Sequence, residues 1–278
     1  MNDAPIGIFD SGLGGLTVAR AIIDQLPNED VVYLGDTAHT PYGPRPIAEI
    51  RELTLAGLDT LVQQGAKVLV IACNTATAAA LADARERYWT GMGIPVIEVI
   101  SPAAREAAFT TRSGKVGVIG TAATIASNSY PNALAAVPGV EVVQNATPRL
   151  VDFVESGVTA GKELTAATAE YMAPLKEAGV DTVVLGCTHY PLLTSVLARE
   201  LGVGVSLVTS SEGAARATYS VLVDQDLLHS PRPFGSAHHR FLVTEPSERF
   251  AVLARRFLGP EAERLETVPA GKSQEGQS

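Results

Sequence analysis

Two cysteines stand in equivalent settings in this 278-residue chain. Val68-Leu-Val-Ile-Ala-Cys73-Asn74-Thr75 and Val183-Val-Leu-Gly-Cys187-Thr188-His189 are each an apolar run that ends in a thiol followed by hydrogen-bonding residues. A thiol between a strand and a helix feels the positive end of the helix dipole, which favours thiolate and hence base or nucleophile chemistry. A buried cysteine can also be an inert small hydrophobe, but two at matching points, both flanked by polar groups, favour chemistry. His189 is a natural acid–base partner for Cys187, although alone it would read equally as a hydrogen-bonded core histidine. The cysteines are too far apart for a structural zinc module and make no disulfide framework.

Asp10-Ser11-Gly12-Leu-Gly14-Gly15 is a glycine-rich turn after a short apolar run. Its backbone N–H groups beside Asp10 and Ser11 suit a small ligand carrying both ammonium and carboxylate. With Asp36 it also imitates a dinucleotide fingerprint, but Thr17 occupies the third glycine position and the charge of Asp10 would face the pyrophosphate. A plain turn capping the next helix is the third reading. Thr40-Pro41-Tyr42-Gly43-Pro44 reads as a rigid loop, or simply as a proline-rich turn. Glu155 falls near the end of an apolar helical pattern and alone would be a solvated helix residue. His39, His229, His238 and His239 fall in loops and receive no role.

These residues need elements to hold them. Strands are expected at 6–9, 31–34, 68–72, 96–100, 116–120, 140–143, 182–186, 206–208 and 241–243, the central ones nearly all Val, Ile and Leu, as in parallel strands buried on both faces. Helical periodicity is expected at 16–26, 46–64 (with Pro46 as first helical residue), 76–88, 102–109, 124–136, 162–178, 192–201, 212–222 and 248–257. The alternation predicts an α/β protein of doubly wound, mainly parallel sheets. A diverged repeat divides it: Ile6–Gly12 matches Val116–Ala122, Cys73 follows Asp10 by 63 residues, and Cys187 follows Thr121 by 66. Two similar domains related by pseudo-symmetry are therefore expected, one over 1–98 plus 211–268 and one over 99–210. A polar tail from Pro269 is expected to be disordered.

The formal net charge of −9 and pI near 5.1 argue against a general nucleic-acid binder, which needs a basic face. No run is apolar enough to span a membrane, and the start lacks the basic and apolar regions of a signal peptide, so a cytoplasmic protein is expected. A pyridoxal-phosphate enzyme would need a lysine for its Schiff base. Lys67, Lys115, Lys162, Lys176 and Lys272 all fall away from the strand ends where ligands bind in open α/β sheets, so chemistry without a cofactor or metal is preferred.

Together, Asp10-Ser-Gly, Gly35-Asp36-Thr37, Pro41-Tyr42-Gly43, Cys73-Asn74-Thr75-Ala76, Pro148 to Gly157 and Gly186-Cys187-Thr188-His189-Tyr190-Pro191 resemble the glutamate racemases, a cofactor-independent family of bacterial cell-wall synthesis. The resemblance implies interconversion of L- and D-glutamate, with D-glutamate supplied for peptidoglycan. It implies Cys73 and Cys187 as two bases on opposite faces of the α-carbon, with Asp10 as partner of Cys73, and His189 and Glu155 as partners of Cys187. It implies Asp10, Ser11, Tyr42, Gly43, Asn74, Thr75, Thr121, Thr188 and His189 as substrate-binding residues, and a homodimer. Racemising two amino-acid faces does require two bases, which a pseudo-symmetric protein can supply one per half. Rival readings are a related aspartate or hydantoin racemase, a decarboxylase that would need only one thiol, and a two-lobed amino-acid-binding protein that would need neither.

Overall fold

The structure, a computed structural model, describes residues 1–246, 248–258 and 265–270. Among the described residues all strands are parallel and fall into two sheets. The first half contributes β1 (Ile6–Asp10), α1 (Leu16–Gln25), β2 (Val31–Gly35), α2 (Ile47–Gln63), β3 (Val68–Ile71), α3 (Asn74–Ala84), β4 (Val96–Glu98) and α4 (Ile100–Thr110). The second contributes β5 (Lys115–Gly120), α5 (Ala122–Ala126), α6 (Ser129–Leu134), β6 (Glu141–Ala146), α7 (Arg149–Glu155), α8 (Lys162–Ala178), β7 (Thr182–Gly186), α9 (Thr194–Leu201) and β8 (Ser206–Thr209). After these come α10 (Ser210–Asp224), β9 (His239–Val243), α11 (Glu248–Leu258) and β10 (Leu265–Thr267).

The strand orders are β2-β1-β3-β4 and β6-β5-β7-β8, so the sequence repeat becomes a repeat of topology. Sheet one continues through β9 and β10 on its β2 edge. Alternation along the strands explains the layering, because successive side chains point to opposite faces. Ile6, Ile8, Val68 and Val70 join a core with α1 and α10, whereas Phe9, Leu69 and Ile71 face α2 and α3. Val116, Val118 and Val184 join that same first core, while Ile119, Val183 and Leu185 face α7, α8 and α9. One apolar core thus runs through both halves, with α1, α4, α6 and α10 inside it.

Several boundaries differ from the sequence expectation for local reasons. The helix expected over 124–136 is two short helices, because Asn128 adopts φ 53°, a left-handed conformation that asparagine tolerates better than most residues. Pro46 precedes α2 with extended ψ instead of opening it. Strand β4 stops at Glu98, whose carboxylate accepts from the N–H groups of Ile100 and Ser101 and so starts α4. Helix α3 begins earlier than its apolar periodicity suggests, with Cys73 itself as the cap. Strand β10 was not expected. Beyond Ala270 the polar tail lies outside the described residues.

Candidate active site

Parallel pairing ends β1 beside β3 and β5 beside β7, so their carboxyl ends present Asp10-Ser11, Cys73, Thr121 and Cys187 side by side. Residues from both halves line one cleft. Ser11, Tyr42, Gly43, Cys73, Asn74, Thr75, Thr121, Glu155, Cys187, Thr188 and His189 all line it, joined by Thr40, Pro41 and Val151. Asp10 is the one expected site residue that does not.

Cys73 caps α3 with extended backbone, and its Sγ accepts from the Ala76 N–H at 3.4 Å. The Ser11 hydroxyl lies 3.3 Å from the same sulfur. Burial pushes the Cys73 thiol up to about 12, and the Asp10 charge adds to this, while Ser11 and Ala76 oppose it. Cys73 is therefore a protonated thiol at neutral pH. Asp10 touches this residue through its charge, and Ser11 makes the direct contact.

Cys187 follows β7 directly, and its Sγ lies 3.6 Å from His189 Nδ1. His189 Nε2 lies 3.5 Å from Glu155 Oε1, an ion-pair distance rather than an aligned hydrogen bond. Burial alone would lower the His189 pKa. The contacts with Cys187 and Glu155 and the charges of Cys187 and Asp10 outweigh it and carry the ring up to about 10. A cationic ring therefore stands between the Cys187 sulfur and the Glu155 carboxylate.

Asp10 is fully buried. Its Oδ2 accepts from the Gly12 N–H at 3.0 Å, and Oδ1 has no hydrogen-bond partner among the described residues. Burial raises its pKa, against the charge of His189 and the N–H groups of Gly15 and Gly12. The glycine-rich turn has its own explanation here. A Cβ on Gly14 would come within 2.3 Å of Thr188 Oγ1 and 2.8 Å of His189 Nδ1, so glycine lets the two halves close on each other. The turn packs against protein where a dinucleotide would need it open to phosphate.

The remaining polar groups are neutral. Thr75 and Thr121 hydroxyls meet across the halves at 2.9 Å, with Thr124 3.3 Å from the first and 3.0 Å from the second. Tyr42 donates its hydroxyl to Asp36 Oδ2 at 2.7 Å, so this group is already occupied. Asp36 also faces His39 Nδ1 at 2.8 Å and accepts from Thr244 Oγ1 at 2.8 Å. His39, given no role from sequence, thus braces the loop that carries Tyr42 and Gly43. Thr244 does the same from the end of β9, and no local pattern marked it. Thr124 was findable from its place three residues after the α5 cap, Thr121.

Among the described residues, no lysine or arginine lines the cleft. Lys67, the buried lysine, is paired with Glu29 at 2.6 Å at the start of β3. The donor set thus offers no amine for a Schiff base, and among the described residues no group of three or more His, Cys, Asp or Glu side chains is arranged to hold a metal. No helix among the described residues is long and apolar enough to cross a membrane.

Comparison with known proteins places this geometry. Residues 6–218 match the Asp/Glu/Hydantoin racemase family. A glutamate racemase of Parafrankia sp. (strain EAN1pec) is 56% identical over 278 residues, covering 100% of this chain and 99% of its own. Among solved structures, a glutamate racemase isoform from Bacillus anthracis superposes with a TM-score of 0.90 at 39% identity, over 96% of this chain and 98% of the other. The glutamate racemase of Francisella tularensis subsp. tularensis, solved in complex with D-glutamate, does so with 0.89 at 34%, over 97% and 99%. With two thiols facing one cleft and this likeness along its whole length, the chain belongs to the glutamate racemases of the Asp/Glu/Hydantoin racemase family.

Proposed function

We propose that this racemase interconverts L- and D-glutamate by moving a proton between Cys73 and Cys187 across the substrate α-carbon. The observation that carries this is the placement of one thiol from each half on the same cleft, at topologically equivalent strand ends. Cys187, beside the His189 imidazolium, takes the α-proton as thiolate, and Cys73, held as a thiol, returns a proton to the opposite face. The bound enantiomer decides which of the two acts first, so the roles exchange in the reverse direction. His189 serves Cys187 as counter-ion and Glu155 orients the ring. Asp10, outside the cleft lining, acts on Cys73 through its charge, which favours the thiol.

Ser11, Gly43, Asn74, Thr75, Thr121, Thr188 and the amides opening α3 would hold the carboxylates. Neutral donors and a helix N-terminus do this without a fixed cation. Tyr42 contributes to the wall through its ring, with its hydroxyl on Asp36. No step requires a metal or an organic cofactor. L-Glutamate added to chelator-dialysed protein without pyridoxal phosphate should lose optical rotation to zero. Lasting loss of activity that metal or cofactor restores would overturn this.

The cell-wall role follows by resemblance: D-glutamate made in the cytoplasm for peptidoglycan. The domain division at 98 and 210 is proposed on the sheet membership of the strands, with 211–268 returning to the first domain. A homodimer is proposed from family resemblance, and sedimentation equilibrium at the mass of one chain would remove it.

A further inference from the structure

Tyr130 is fully buried, and its hydroxyl donates to Asn74 Oδ1 at 2.7 Å. It stands on α6 in the second half, whereas Asn74 opens α3 directly after Cys73 in the first. The left-handed Asn128 turns the chain so that α6 begins immediately before this ring. The ring also lies against the other cysteine motif. A Cβ on Gly186, the residue before Cys187, would come within 3.0 Å of Tyr130 Cε2 and 2.8 Å of the Ile119 carbonyl oxygen. One side chain therefore touches the residue after one thiol and the residue before the other.

The hydrogen bond has a direction with a consequence. Asn74 is 2% exposed and lines the cleft, and its Nδ2 has no hydrogen-bond partner among the described residues. With Oδ1 tied to the tyrosine, the two N–H donors of the carboxamide are left without a protein partner among the described residues, on a residue that lines the cleft. In the flipped orientation Nδ2 would point at the hydroxyl, whose own proton would then have no acceptor among the described residues, and a carbonyl oxygen would face a carboxylate ligand. Burial holds the Tyr130 hydroxyl well above its ordinary pKa, so it stays a donor.

We propose that Tyr130 is a positioning residue that locks the Asn74 carboxamide with its donors toward a substrate carboxylate and couples that orientation to the strand end bearing Cys187. The proposal rests on glutamate binding in this cleft. Tyr130→Phe deletes the hydroxyl and leaves the ring against Gly186. The expected result is a KM for glutamate raised about tenfold, the value of one hydrogen bond to a charged group, with kcat changed less than about threefold and Tm lowered by about 2–4 °C. In an Asn74→Ala background the same substitution should leave KM where Asn74→Ala put it, because there is no carboxamide left to orient. An unchanged KM in Tyr130→Phe, or an equal KM rise in both backgrounds, overturns the proposal and leaves the racemase reading standing. An unsubstituted protein that neither binds nor racemises glutamate overturns both.

Discussion

Cys73→Ser and Cys187→Ser should each lower glutamate racemisation by about 10³-fold or more, since each removes one of two obligatory proton carriers and a serine hydroxyl is too weakly acidic to replace a thiol. Loss of activity alone would not separate two bases from one base and one structural thiol. An analogue with a leaving group on the β-carbon does. A single base takes the α-proton, the electron pair forms the α,β double bond, and the leaving group departs with the carbon–leaving-group bond. No proton need return on the other face, and the enamine hydrolyses to a keto acid and ammonia that are readily assayed. Cys73→Ser should therefore eliminate from one enantiomer of the analogue and Cys187→Ser from the other. Both variants preferring the same enantiomer would end the two-face assignment, as would near-normal racemisation by either.

His189→Asn should lower turnover by about 10²–10⁴-fold, the usual contribution of a positioned acid–base group. Elimination from the enantiomer served by Cys187 should slow most and elimination through Cys73 should be spared, because of the two sulfurs it is that of Cys187 that the ring contacts. The pH dependence has a definite sign. The ring is raised from 6.5 to about 10, so the folded state holds this proton more tightly than the unfolded chain does. The stabilisation is fully present below about pH 6.5 and is lost as the pH rises through about 10. Melting temperature should thus fall across that interval in the unsubstituted protein and less in His189→Asn. Asp10→Asn makes the contrasting control: burial disfavours its ionised form, so at neutral pH the variant should melt no lower while turning over more slowly. Identical pH–melting curves for the unsubstituted protein and His189→Asn would show that the ring is neutral.

Much of this is legible in the sequence. Period-two and period-3.6 apolar patterns are local signals, so the strands through β9 and helices such as α8 fall where the pattern puts them. The thiols were legible because buried parallel strands end in ligand-facing turns, and a residue type that rarely decorates such turns occurred there twice, in the same phase of a repeat. Boundaries set by a single hydrogen bond or one backbone dihedral were less legible, as with the Glu98 carboxylate that ends β4 and the left-handed Asn128 that splits α5 from α6.

What no linear pattern carries is which groups distant in sequence meet in space. Gly14 is a glycine because Thr188, 174 positions on, needs its space; Asp36 is bound to Thr244 and Asn74 to Tyr130. The tuning of the thiols belongs to the same class. Cys73 and Cys187 look alike in sequence and are equally buried, yet one sits beside the Asp10 charge and the other against a cationic ring. Identity and phase of the reactive residues follow from local periodicity, which each strand and helix encodes alone. Their protonation states and partners follow from charge, burial and close packing, which exist only once both halves close over one cleft.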